Sequence, residues 1–201
     1  RYSEGTNPAR QMPVEECGNM LVMEAATAVA SGDVSFAAAN LPELEQWVRY
    51  LLENGRDPDN QLCTDDFAGH LAHNCNLSLK AIMGIAGLGI IYRMLGREDD
   101  AEKYIAIARD MAADWAVRAA NGDGSYRLAF DSPGSFSMKY NIVWDSLLGY
   151  GLFSDEVKQN EMDVLVRAER IKGFLPIIAG GRRIFNSNLD AYHAFFPHRL
   201  I

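Results

Sequence analysis

Basic residues are scarce here: Lys and Arg number 19 against 27 Asp and Glu, for a net charge of -8. No stripe of Lys and Arg interleaved with aromatics runs through the chain, so a nucleic-acid surface, which needs clustered cations against phosphate, is excluded. Cysteine is almost as sparse. Cys17, Cys63 and Cys75 are an odd number without CxxC spacing, which rules out a disulfide framework and the usual structural zinc patterns, while one disulfide stays open. No run of about 18 apolar residues stands out, so no membrane partner is expected. Nucleophile signatures are missing too. There is no G-x-S-x-G, and Ser137-Met138-Lys139 has S-x-K spacing, not S-x-x-K. Nothing beside Cys63 or His70 would lower a thiol pKa. No phosphate-cradling glycine loop is present, and no cofactor or metal is expected. The chain opens at Arg1-Tyr2-Ser3 without Met, as a segment of a longer protein would.

What is present is an ordinary globular composition, 48% hydrophobic and 23% charged, in 201 residues, enough for one domain with a sizeable core. Its helices alternate in character. Residues 20–30 carry only Glu24, and 77–92 carry only Lys80 together with Gly84, Gly87 and Gly89. A helix apolar on nearly every side is expected to be buried on every side, and three helical glycines predict close helix–helix approach. Residues 140–150 repeat this character with only Asp145 charged. Between these lie amphipathic helices. The first starts at Asn40 with Glu43 as a capping box and buries Leu44, Trp47, Val48, Leu51 and Leu52. Another covers 98–119. The third, 155–170, has a narrow stripe of Val157, Val164, Leu165 and Ala168. Alternation of this kind predicts an all-α fold with an inner and an outer ring of antiparallel helices, an α/α toroid, with an orthogonal bundle as the alternative. Tyr126, Leu128 and Phe130 alternate with polar or small residues between glycine-rich turns and predict one small β-hairpin.

In such a ring the segments entering the three inner helices, 10–19, 56–76 and 131–141, share one rim. That rim gathers Glu15, Glu16, Asn19, Asp65, Asp66, His70, His73, Asn74, Asn76, Lys139, Tyr140 and Asn141, and loops on a rigid scaffold are where sites concentrate. Glu15, Glu16, Asp65 and Asp66 can supply a general acid and base, or can simply favour the positive ends of the following helices. His70 and His73 read as hydrogen-bonded structural groups or as ligands of a divalent metal. Asn74 or Asn76 reads as a helix cap or a substrate contact. Lys139, Tyr140 and Asn141 suit a carboxylate or sugar hydroxyls.

The motifs PVEECGNM (13–20), DPDNQLCTDDFAGHLAHNCNLSLKAIMGIA (57–86) and FDSPGSFSMKYNIVWDSLL (130–148) resemble the glutaminase A family, and the domain they resemble is its C-terminal six-hairpin α/α toroid. The resemblance covers residues 1–175. It implies a secreted or periplasmic protein with further N-terminal domains, and hydrolysis of L-glutamine to glutamate and ammonia by carboxylate-assisted attack of water. Glu15, Glu16, Asp65 and Asp66 are then the catalytic candidates. Asn19, His70, His73, Asn74, Lys139, Tyr140, Asn141 and Trp144 are the substrate-binding ones. A carbohydrate-active or sugar-binding toroid is the alternative, since the scaffold hosts glycosidases, and a non-catalytic structural module is a third reading. After Gly173-Phe174-Leu175-Pro176 the chain departs from the family pattern. Residues 176–201 read as an atypical tail of a truncated or frameshifted frame, with the ring incomplete and self-association through exposed inner helices as the expected consequence.

Overall fold

The structure, a computed structural model, describes residues 11–63 and 69–170. Helix α1 (Pro13–Ser31) begins with Pro at its first turn, beside Glu15 and Glu16, whose charges suit the positive helix end. Its Val14 N–H donates to Gln61 Oε1 at 3.0 Å, so a side chain 47 residues away serves one of the unpaired amides. Gly32, at φ 68°, ends it in the left-handed region that glycine enters without strain. A short helix α2 (Ser35–Ala39) follows, then α3 (Leu41–Asn54). Asn40 makes no side-chain cap to α3; its amide turns back to the Phe36 carbonyl at 2.8 Å, because α2 already supplies a carbonyl within reach. The expected capping box is therefore absent.

Helix α4 (Cys75–Met94) is the centre of the core. Asn74 caps it, its Oδ1 accepting from the Leu77 amide at 2.9 Å. Every residue from Cys75 to Tyr92 is buried. By length and composition α4 could cross a bilayer, contrary to the expectation of no such run. Its burial against α1, α3 and α5 (Glu98–Arg118) accounts for that hydropathy instead. The glycines do what their spacing predicts. A Cβ on Gly84 would lie 3.1 Å from Gly18 Cα, and one on Gly89 would lie 2.8 Å from Ile105 Cγ1. These positions let α1 and α5 approach α4 backbone to backbone. The Trp115 indole N–H donates to the Cys75 carbonyl at 2.8 Å and ties α5 to the start of α4.

Two inner helices differ from expectation. α1 buries Val14, Leu21, Val22, Ala25 and Ala28 against α3 and α4 but leaves Met20, Met23 and Val29 exposed. The third inner helix is a 3₁₀ turn (Tyr140–Ile142) running into α6 (Val143–Leu147), and it stops short of residue 150. Gly149 and Gly151 adopt φ 66° and 68°, and the buried Asp145 carboxylate accepts from Leu152 N and Phe153 N at 2.8 and 3.3 Å. That carboxylate closes the turn into α7 (Asp155–Arg170) and pairs with Lys158 at 2.6 Å. α7 buries Glu161 and Met162, with Val157 and Val164 half-buried. The expected hairpin over 126–130 forms no named strand among the described residues. It is reduced to single antiparallel bridges, Ala120 with Tyr126 and Asn74 with Ala129, the second of which sews the segment to the start of α4. Among the described residues the chain is all-α, with α1 packed on α3 and α4, and α4 on α5.

Candidate functional site

Three inner elements meet at one charged cluster. Lys80, the one charge in the buried stretch of α4, points its Nζ to Glu15 Oε1 at 3.3 Å and hydrogen-bonds Asn19 Oδ1. Asn19 in turn donates through Nδ2 to the same Glu15 oxygen at 3.2 Å. Tyr140 places its ring 5.8 Å from the ammonium. The Lys80 and Glu15 side chains are only 8% and 3% exposed. An ion pair this dry is held by its hydrogen bonds, since the lost hydration of both charges has to be offset locally. Gly18 makes the arrangement possible, because a Cβ there would lie 2.5 Å from Lys80 Cγ. Beside the cluster, Glu16 faces outward and is exposed, so the two adjacent carboxylates have opposite environments.

Asn141 lies on the same inner side. Fully buried, it donates to the Asn76 carbonyl and Oδ1 at 3.0 and 3.1 Å, while its own Oδ1 has no hydrogen-bond partner. Trp144 is half-buried against the core.

The remaining candidates go elsewhere. Asn74 is the α4 cap, and its amide also reaches Cys63 Sγ at 3.4 Å. Lys139 is completely buried, its ammonium donating to Tyr126 O, Ser137 O and Ser137 Oγ at 3.1, 2.6 and 3.2 Å. It ties a loop together and does not present its charge outward. Glu161 accepts from the Lys139 amide at 3.2 Å, and burial raises its pKa against the lowering effect of the Lys139 charge. Asp65 and Asp66 lie outside the described residues.

His70 is exposed in a bend. His73 belongs to a different place, a cleft of about 440 Å³ lined by Asp57, His73, Val117, Arg118, Arg127, Phe130 and Asp131. Its Nδ1 lies 2.8 Å from Asp57 Oδ1, which raises the imidazole pKa, and Arg118 holds the other Asp57 oxygen at 2.5 Å. This cleft shares no residue with the Glu15–Lys80 cluster, so the expected rim resolves into two separate sites. Among the described residues no group of three or more His, Cys, Asp or Glu could hold a metal ion.

All three thiols are free, so the disulfide left open by the sequence does not form. Burial, with Glu16 nearby, pushes Cys17 up to about 11, and burial pushes Cys75 up to about 12. Neither is a poised nucleophile. Sequence reasoning missed Lys80 as a site residue, although its signal was plain: one charge on an otherwise apolar helix must find a partner. It also missed Asp57 and Glu161, which nothing in their local patterns distinguishes from solvated charges.

Comparison with known proteins agrees with this architecture. Residues 2–171 match the family described as the glutaminase A six helical-hairpin domain. Over 150 residues the chain is 37% identical to a protein named Glutaminase A from Aspergillus oryzae, covering 73% of this chain and 22% of that protein. It is 38% identical over 112 residues to a protein named “Probable glutaminase” from Arthroderma benhamiae, covering 55% of this chain and 13% of that one. The matched region thus spans about a fifth or less of these relatives' length. With its buried hairpins and a family match over most of its length, the chain belongs to the glutaminase A family, as its six helical-hairpin domain.

Proposed function

We propose that the protein carrying this chain hydrolyses L-glutamine to glutamate and ammonia, with Glu15 as the carboxylate that activates water. The observation that carries this reading is the Glu15–Asn19–Lys80 network beneath Tyr140, where a carboxylate is held rigidly on the inner side of the helices. A general base needs a fixed position more than it needs mobility, and Asn19 and Lys80 fix both its orientation and its charge. The names of the relatives point to the same reaction for those proteins. In the step proposed, the oxygen of water bonds to the side-chain amide carbon while Glu15 takes its proton. The tetrahedral intermediate then breaks its C–N bond, and the nitrogen leaves as ammonia with a proton returned to it. Asp65 or Asp66, which precede α4 in the sequence, is the proposed acid for that return. In this scheme Lys80, not the loop-bound Lys139, is the cation nearest the reacting carbonyl, with Asn141 and Trp144 shaping the inner wall.

The test is ammonia release from L-glutamine by the wild type and by Glu15→Gln and Glu16→Gln variants of the whole protein. Glu15→Gln should lose roughly 100-fold or more, the usual cost of removing a general base, and Glu16→Gln only a few-fold. Equal activity in Glu15→Gln sinks the assignment of the base. Reducing-sugar release from a glycoside in place of ammonia sinks the amide reading itself.

A further inference from the structure

The cleft around His73 has features that a purely structural loop does not need. His73 sits at φ 60°, a left-handed conformation uncommon for a residue with a side chain. Its amide donates to the Pro58 carbonyl at 2.7 Å and its carbonyl accepts from Phe130 N at 2.9 Å, so the backbone is clamped in that state. The clamp directs the imidazole to Asp57 on the wall of the cleft. Arg127 donates through Nη1 to the Phe130 carbonyl at 2.9 Å, while its Nε is buried without a hydrogen-bond partner. A guanidinium with an unused donor edge is suited to take a carboxylate through two parallel hydrogen bonds. Arg118 stacks on the Phe130 ring, its guanidinium carbon 4.1 Å from the centroid, and Phe130 and Val117 are the apolar residues of the lining.

The charges are mixed, and that narrows the ligand. Asp57 is engaged by both His73 and Arg118, and Asp131, an exposed carboxylate, lies on the same lining. A dianion such as phosphate would meet both carboxylates, whereas a group bearing one charge of each sign would satisfy Arg127 and Asp131 together. We propose that this cleft is a ligand site separate from the Glu15 cluster, and that it takes an amino-acid zwitterion. The carboxylate goes to the Arg127 guanidinium with His73 beside it, the ammonium to Asp131, and an apolar side chain to Phe130 and Val117. The site does not depend on the reaction proposed for the Glu15 cluster. The groups that face His73 are Asp57, Asp131, Arg118 and Arg127. Protonated His73 adds attraction for the carboxylate, so binding weakens as pH rises through its titration.

The experiment is calorimetric titration of the whole protein with L-leucine, acetate and methylammonium, at about pH 6 and about pH 8.5, on either side of an ordinary or raised histidine pKa. Leucine is the probe because its side chain carries no amide to hydrolyse. The expected result is saturable leucine binding roughly tenfold tighter than either half-charged probe, because two complementary ends act together, and tighter at the lower pH. Arg127→Gln should lose about tenfold or more, Arg127→Lys should recover part of it, and His73→Asn, tolerated at this φ, should remove the pH dependence. Should Arg127→Gln fail to fold, Asp131→Asn at its exposed position carries the same test and should bring leucine down to the level of acetate. Leucine binding no tighter than acetate, absent altogether, or unchanged in Arg127→Gln and Asp131→Asn overturns the proposal.

Discussion

Lys80 and Glu15 set a cation and an anion side by side with little of either side chain exposed, so the two have to be considered as one unit. Removing one partner strands the other. Lys80→Met should destabilise the chain by about 3–5 kcal/mol, whereas the double change Glu15→Gln with Lys80→Met should recover most of that loss. Urea unfolding of the four proteins gives the coupling directly, and additive losses would mean that the pair is not coupled. Glu161 is a different residue-scale case. Its folded pKa is raised by burial above the unfolded value, so the native state holds the proton more tightly. Between the two values the native state binds more protons than the unfolded chain, so stability from this group falls as pH rises through that window. The Tm difference between wild type and Glu161→Gln should therefore shift against the wild type as pH rises from about 4 to 7. A difference independent of pH contradicts this.

At the scale of elements, the contact of α1 with α4 depends on two backbones meeting at Gly18 and Gly84. A methyl group at Gly18 would also approach the Lys80 carbonyl oxygen, at 3.0 Å, so relief requires the helix itself to move and not only a flexible side chain. Gly18→Ala should cost about 1–3 kcal/mol despite the better helix propensity of alanine, and should disturb the Glu15–Lys80 pairing with it. Thermal unfolding checks the first effect; a stabilised variant would contradict the packing argument. α4 and its partners were legible in the sequence because an apolar helix broken by three glycines has few other uses. The hairpin over 126–130 was not, because alternation in Tyr126, Leu128 and Phe130 reports two buried aromatics and not a ladder. The Tyr126 ring packs on Trp115 and the Phe130 ring under the Arg118 guanidinium, and single bridges are enough to hold the segment. The end of α6 was equally hidden: Gly149 reads as part of an apolar run until the Asp145 carboxylate is seen to bond the amides of Leu152 and Phe153.

For the whole molecule, the alternation of apolar and amphipathic helices carried the all-α hairpin architecture, and the three motifs carried the family. The site was half legible. The rim argument collected chemically capable residues by chain position, but position along a rim does not fix direction. Glu15 turns inward to Lys80, His73 turns to Asp57 and the cleft, and Lys139 folds back on its own loop. What separates them is tertiary: which carbonyl or carboxylate lies within 3 Å or so of each polar atom, and no local pattern encodes that. The two-site picture also predicts that Arg127→Gln leaves glutamine turnover at the wild-type level, within about two-fold, because the cleft shares no residue with the inner cluster.

The most direct measurement is the rate of ammonia release from L-glutamine by the whole protein with Glu15→Gln, beside the wild type and with folding checked by circular dichroism. The account predicts a folded variant whose rate falls roughly 100-fold or more. A folded Glu15→Gln protein that releases ammonia at the wild-type rate would contradict it, and would leave the Glu15–Lys80 pair as a structural tie between α1 and α4.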